Sequence, residues 1–110
     1  MKRGDLVIVS PAGDYGKPRP AIVIQSDSIT ATESVLVALL TSALVDVPIY
    51  RLTIEPTQAN GLEALSQVMV DKIVAISRAK CGKPIGRIEQ GERHALDRLL
   101  AVMIGLADSP

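Results

Sequence analysis

Tryptophan and phenylalanine are missing from this chain of 110 residues, and its aromatics, two tyrosines, amount to 2%. The core must therefore be packed from Val, Ile, Leu and Ala, and platforms for stacking nucleobases are nearly absent. Cysteine occurs once, at Cys81, which excludes an internal disulfide and suits a reducing compartment. Histidine also occurs once, at His94. No His/Cys/carboxylate cluster has ligand spacing, so neither a metal nor another cofactor is expected. Net charge is lacking too: 12 Lys/Arg balance 12 Asp/Glu, which argues against nucleic-acid binding driven by bulk charge. No apolar run reaches transmembrane length, and no charged segment leads into a signal-like apolar stretch. A soluble cytoplasmic protein without membrane contact is expected. Gly13 and Gly16 do not open a helix, so they form no phosphate loop.

What is present describes a folded domain. Hydrophobic residues make up 47% of the chain, enough for one core spanning 1–110 but not for two. The charge is unevenly spread. Residues 1–24 carry four Lys/Arg against two Asp/Glu, residues 25–71 one against six, and residues 72–110 seven against four. Such blocks suit a small basic groove beside an acidic face.

In chain order, 5–10 reads as a first strand that Pro11 ends, followed by a Gly-rich loop over 12–18. A second strand covers about 20–26, and the unbroken apolar run 35–40 is a central strand buried on both faces. Residues 47–54 alternate with period two, as a half-exposed strand does, with Pro48 at its start or edge. A turn-rich connection over 55–61 contains Asn60-Gly61. Residues 66–70 form another strand, continued or closely followed by 73–76. The basic, Gly/Pro-punctuated 77–87 reads as a loop with room for a short strand. A helix runs from 89 or 91 to 106, with Leu96, Leu99, Leu100, Met103 and Leu106 on one stripe. Glu89 and Glu92 favour its N-terminal dipole, and Arg93 and Asp97 stand four apart on its wet face. His94, on the same helix, reads as structural or solvent-facing. The pattern predicts a mainly β fold with a C-terminal helix (α+β), a small barrel or bent antiparallel sheet.

The chemistry concentrates at a few positions. Pro18 and Pro20 hold Arg19 extended where a loop becomes a strand, so its side chain is presented rather than buried. Thr41-Ser42 ends the central strand. Antiparallel pairing of strands two and three sets Arg19 and Thr41 at one sheet edge, within reach of one ligand. A guanidinium fork matches phosphate oxygens, and a threonine hydroxyl donates to the same group.

These stretches resemble a known family. Arg3-Gly4-Asp5-Leu6-Val7-Ile8-Val9, then Arg19-Pro20-Ala21-Ile22-Val23-Ile24, Thr41-Ser42, Gly61-Leu62, Ser66-Gln67-Val68-Met69-Val70-Asp71-Lys72-Ile73, Gly86 and Ile104-Gly105-Leu106 are similar, in order and spacing, to the MazF/PemK toxins of bacterial type II toxin–antitoxin modules. The resemblance implies an SH3-like small barrel of the MazF/PemK/CcdB type. It implies a homodimer, a cognate antitoxin encoded nearby, and metal-independent endoribonuclease cleavage of single-stranded RNA. In that chemistry a ribose 2′-hydroxyl attacks the adjacent phosphate and leaves a cyclic phosphate.

By the same resemblance Arg19 and Thr41 fall on catalytic positions, and Lys17, Tyr15, Ser42 and Gln67 are expected to bind substrate. Asp14 is the candidate acid/base. The chain departs from PemK-type members at Ala64 and Ser66, where those carry Arg and Asp. Two alternatives have the same fold: a CcdB-like, non-enzymatic toxin directed at gyrase, and an inactive binding module. The first relies on a C-terminal Trp, which this chain lacks.

Overall fold

The computed structural model describes residues 1–10 and 17–108. Pro11 and most of the expected loop 12–18 lie outside the described residues. Six strands and one helix follow in the order β1 (Asp5–Val9), β2 (Arg19–Val23), β3 (Ser34–Thr41), β4 (Arg51–Ile54), β5 (Ser66–Ser77), β6 (Cys81–Arg87) and α1 (Gln90–Met103). The strands form a single sheet in the order β4-β5-β3-β2-β1-β6, every pairing antiparallel. No helix among the described residues is long and apolar enough to cross a membrane.

Alternation along the strands sorts their side chains onto the two faces of the sheet. Leu6, Ile22 and Ala38 align across β1, β2 and β3 on one face. They join Leu40, Ile54, Val68, Val70, Ile88 and Leu96 in a buried cluster that the helix covers. Val7, Ala21 and Leu39 align on the other face and join Val9, Val23, Val35, Val37, Met69 and Ile76. The aliphatic core expected from the lack of aromatics is thus two-sided, with β3 central and buried along most of its length.

β5 is one 12-residue strand rather than two. Its pairing with β3 slips between Ala38↔Ile73 and Leu40↔Val68, and its first four residues also pair with β4. That irregularity bends the strand and curls the sheet. The curl is completed by the segment after β4. The Arg87 N–H on edge strand β6 donates to the Ala59 carbonyl at 3.0 Å, so a loop from one edge of the sheet meets the opposite edge strand. Two glycines make the crossing possible. A Cβ at Gly61 would lie 2.2 Å from the Ile85 carbonyl oxygen, and one at Gly86 would lie 2.3 Å from that of Ala59. Gly61 also adopts a φ of +69°, in the left-handed region that favours glycine.

Three expectations need correction. Residues 77–87 are a 3-10 turn, Arg78–Lys80, followed by a full edge strand, whose Pro84 is tolerated because its pairing with β1 is irregular. Residues 47–50 are a turn and not the start of β4: the Val47 carbonyl accepts from both Tyr50 and Arg51 N–H. Finally, α1 stops at Met103, because Gly105 takes a φ of +82° and ends the helix. Of the helix stripe, Leu96 is buried and Leu99 and Leu100 pack against the core, but Leu106 is 77% exposed.

The helix start conforms to its sequence, with the Glu89 N–H donating to Glu92 Oε1 at 3.0 Å. Asp97 pairs with Arg3 at 2.7 Å rather than with Arg93, and Arg3 Nε donates to the Ile24 carbonyl. Arg3 thereby ties α1 to the end of β2.

Candidate active site

β2 and β3 run antiparallel with Ala21 opposite Leu39, and continuing that register sets Arg19 opposite Thr41. The two side chains share one groove of about 570 Å³. One wall is Lys17, Pro18, Arg19 and Pro20, reached through the start of β2. The floor is Leu40, Thr41 and Ser42 at the end of β3. The far wall is Gly61, Leu62, Glu63 and Ala64, with Ser66 at the start of β5 and Ile85 from β6. The groove therefore opens where the curled sheet is closed by the 55–62 segment.

Each wall is held from below. Arg19 is half-buried, its Nε fully enclosed, so the guanidinium leaves the wall at a restricted angle. Thr41 Oγ1 accepts the Ala43 N–H at 3.0 Å, which fixes the hydroxyl and leaves its proton to donate into the groove. The far wall hangs on Asn60, which is 2% exposed. Asn60 Oδ1 accepts from the Thr57 and Leu62 N–H groups, and its Nδ2 donates to the Glu55 carbonyl at 2.8 Å. Further along, Ser66 Oγ donates to the Ala64 carbonyl at 2.9 Å.

Of the residues expected to bind or act on substrate, Arg19, Thr41, Lys17 and Ser42 meet in this groove. Asp14 and Tyr15 lie outside the described residues. Gln67 is buried beneath the groove rather than in its lining. Its Oε1 accepts from Val45 N–H and Arg51 Nη1, and its Nε2 donates to the Val45 carbonyl and Thr53 Oγ1. With both ends of its amide engaged, Gln67 fixes the chain after β3. His94 is exposed on α1, away from the groove.

The sequence pattern did not single out Glu63 or the Asn60 anchor as parts of the site. Asn60-Gly61 was visible as a turn signal, but nothing local tells which strand that turn meets.

The charge of the groove is mixed, Lys17 and Arg19 facing a wall that carries Glu63. Among the described residues no group of three or more His, Cys, Asp or Glu side chains could hold a metal ion. Away from the groove, burial raises the Cys81 thiol above its ordinary pKa, with the nearby Arg78 charge opposing the rise. A cation fork and a neutral hydroxyl converging on a groove open to solvent suit an extended anion such as a phosphodiester strand.

A small, curled antiparallel sheet capped by one helix, with a groove at its closing edge that Arg19 and Thr41 line, sets the class as a compact single-sheet β fold. The particular family follows from comparison. The sequence model of the PemK-like, MazF-like toxins of type II toxin–antitoxin systems matches residues 2–104, and the chain belongs to that family. It is 40% identical over 108 residues to the "Probable endoribonuclease MazF" of Mycolicibacterium smegmatis, covering 97% of this chain and 99% of that protein. Among solved structures, a mycobacterial endoribonuclease in complex with its cognate antitoxin superposes with a TM-score of 0.82 at 17% identity, covering 99% of both chains. A MazE–MazF structure from Deinococcus radiodurans gives a TM-score of 0.77 at 18% identity over 97% of each chain. At these identities the two structures establish the fold.

Proposed function

We propose that this protein is the toxin of a type II toxin–antitoxin module, a metal-independent endoribonuclease that cleaves single-stranded RNA, messenger RNA included, in the cytoplasm. The observation that carries the reading is the meeting of Arg19 and Thr41 in one groove. The 40% identity to a probable endoribonuclease supports it. A ribose 2′-oxygen attacks the neighbouring phosphorus, the bond to the 5′-oxygen breaks, and the proton lost by the 2′-hydroxyl is balanced by one delivered to the leaving oxygen. The products are a 2′,3′-cyclic phosphate and a free 5′-hydroxyl.

Arg19 meets the charge that builds on the non-bridging oxygens, where a preorganised donor acts most strongly. Thr41 orients the phosphate by donating its hydroxyl proton, and Lys17 and Ser42 hold the strand on either side. Asp14 is the candidate acid/base.

The protein acts as a homodimer, and the apolar residues left exposed around the end of α1, Val102, Met103, Ile104 and Leu106, support a partner surface of that kind. A small antitoxin from a neighbouring gene restrains it by covering the groove. A gyrase-directed alternative is not favoured, since the 40%-identical relative is an endoribonuclease by name.

The test is single-turnover cleavage of one single-stranded RNA in excess EDTA. Wild type is expected to cut, and Arg19→Ala to lose about two to three decades in rate with its circular dichroism unchanged. Arg19→Lys should recover only part, because an ammonium keeps the charge but not the planar fork. Equal rates for wild type and folded Arg19→Ala refute the assignment, and activity restored only by Mg²⁺ or Mn²⁺ refutes the metal-free chemistry.

A further inference from the structure

Glu63 is the one carboxylate among the described residues that line the groove. Its position is fixed although its side chain is exposed. The residue before it, Leu62, is buried and gives its N–H to Asn60 Oδ1, and the residue after it, Ala64, has its carbonyl held by Ser66 Oγ. Other acids of the chain are engaged: Asp5 with Arg87, Asp71 with Arg51, Asp97 with Arg3, and Asp27 with the Arg3 N–H. The Glu63 carboxylate makes no hydrogen bond and no ion pair with any described residue.

An unpaired anion in a groove suited to a polyanion repels phosphate, so it has to face another part of the ligand. On a single strand the parts that donate hydrogen bonds are the unstacked base edges, whose Watson–Crick faces are accessible. A carboxylate is acceptor-only, with two oxygens side by side. Adenine and cytosine offer an exocyclic amino group beside one ring-nitrogen acceptor, and only guanine offers two adjacent donors, N1–H and the N2 amino group, that match both oxygens. Uracil offers a single N3–H set between two carbonyl oxygens, and one of these must oppose the second carboxylate oxygen.

Resting on the reading of the groove as an RNA site, we infer that Glu63 is a specificity-determining residue. At one position of the bound strand it selects guanine, whose two adjacent donors match both carboxylate oxygens, over uracil.

The experiment measures binding of dye-labelled, fully 2′-O-methylated RNA heptamers, which cannot be cleaved, by fluorescence anisotropy. One position at a time is varied among A, C, G and U, with wild type and Glu63→Gln in parallel. Wild type should disfavour uracil at one position by about tenfold or more, the range of one good two-point base contact. Glu63→Gln offers one donor and one acceptor, which uracil, adenine and cytosine can all match, and should abolish the preference for guanine over uracil.

The inference is overturned if no position disfavours uracil, if Glu63→Gln keeps the discrimination, or if the variant tightens every sequence by one common factor, the signature of bulk charge. Absence of any RNA binding overturns it together with the proposed function. Discrimination that depends on Glu63, in a protein that fails to cut unmodified RNA, leaves the inference standing and removes the endoribonuclease reading.

Discussion

Replacing Asn60 by alanine tests how the groove is built without touching any group assigned to the chemistry. The side chain is almost wholly enclosed and makes three bonds, accepting from the Thr57 and Leu62 N–H groups at 3.0 Å each and donating to the Glu55 carbonyl at 2.8 Å. Truncation removes all three and leaves the Leu62 N–H orphaned in a buried setting. A net hydrogen bond contributes about 0.5–1.5 kcal/mol, and a buried group left unpaired costs about 1–3 kcal/mol. Two partially exposed bonds plus one buried orphan give a loss of about 3 kcal/mol. With a urea slope of about 1.5 kcal/mol/M, ordinary for a small domain, the unfolding midpoint should fall by about 2 M at unchanged slope. Wild type and variant must be compared at the same protomer concentration, because association would add its own stabilisation. A midpoint lowered by less than about 0.3 M, a loss near 0.5 kcal/mol, would refute the view that Asn60 anchors the far wall.

Three further outcomes follow from the same geometry. Thr41→Ala should slow cleavage by about three- to tenfold, the worth of one neutral hydrogen bond, while Thr41→Ser keeps both the hydroxyl and its Ala43 contact and stays near wild type in the same single-turnover assay. Sedimentation equilibrium at micromolar concentration should return a dimer, and a clean monomer would remove that part of the proposal. Iodoacetamide should modify Cys81 near neutral pH more slowly than an unstructured cysteine, because the raised pKa leaves less thiolate. The unfolded chain loses this proton first, so the same shift lowers stability as pH rises through the thiol's ordinary range. Equal alkylation rates in native and urea-unfolded protein would contradict the burial.

The sequence was most legible where pattern and burial agree. β1, β2 and β3 carry unbroken or alternating apolar runs, and their antiparallel order alone sets Arg19 beside Thr41. It was least legible where a long-range contact decides. Gly82, Pro84 and Gly86 read as loop punctuation, yet they lie on an edge strand whose partner, β1, is over 70 positions away in the chain. The alternation of Val47 and Ile49 imitates a strand, but the Val47 carbonyl is taken by a turn, and Ile49 points outward at 61% exposure. In the helix the leucine stripe continues past a glycine that stops the backbone, so periodicity outran the element. Glu63 escaped notice for a related reason: it sits in a bend between Leu62 and Leu65 that only the curl of the sheet carries round to the groove of Lys17 and Arg19.

The far wall of the groove has a rigid root and a free crest. At the root, Asn60, Gly61 and Gly86 interlock so closely that each admits almost no substitution by itself. On the crest, Glu63, Ala64 and Leu65 are exposed, and their side chains carry none of the fold. Mutation can therefore accumulate on the crest while the scaffold beneath stays unchanged. A lineage built on this plan can drift through many strand-reading preferences without passing through an unfolded ancestor.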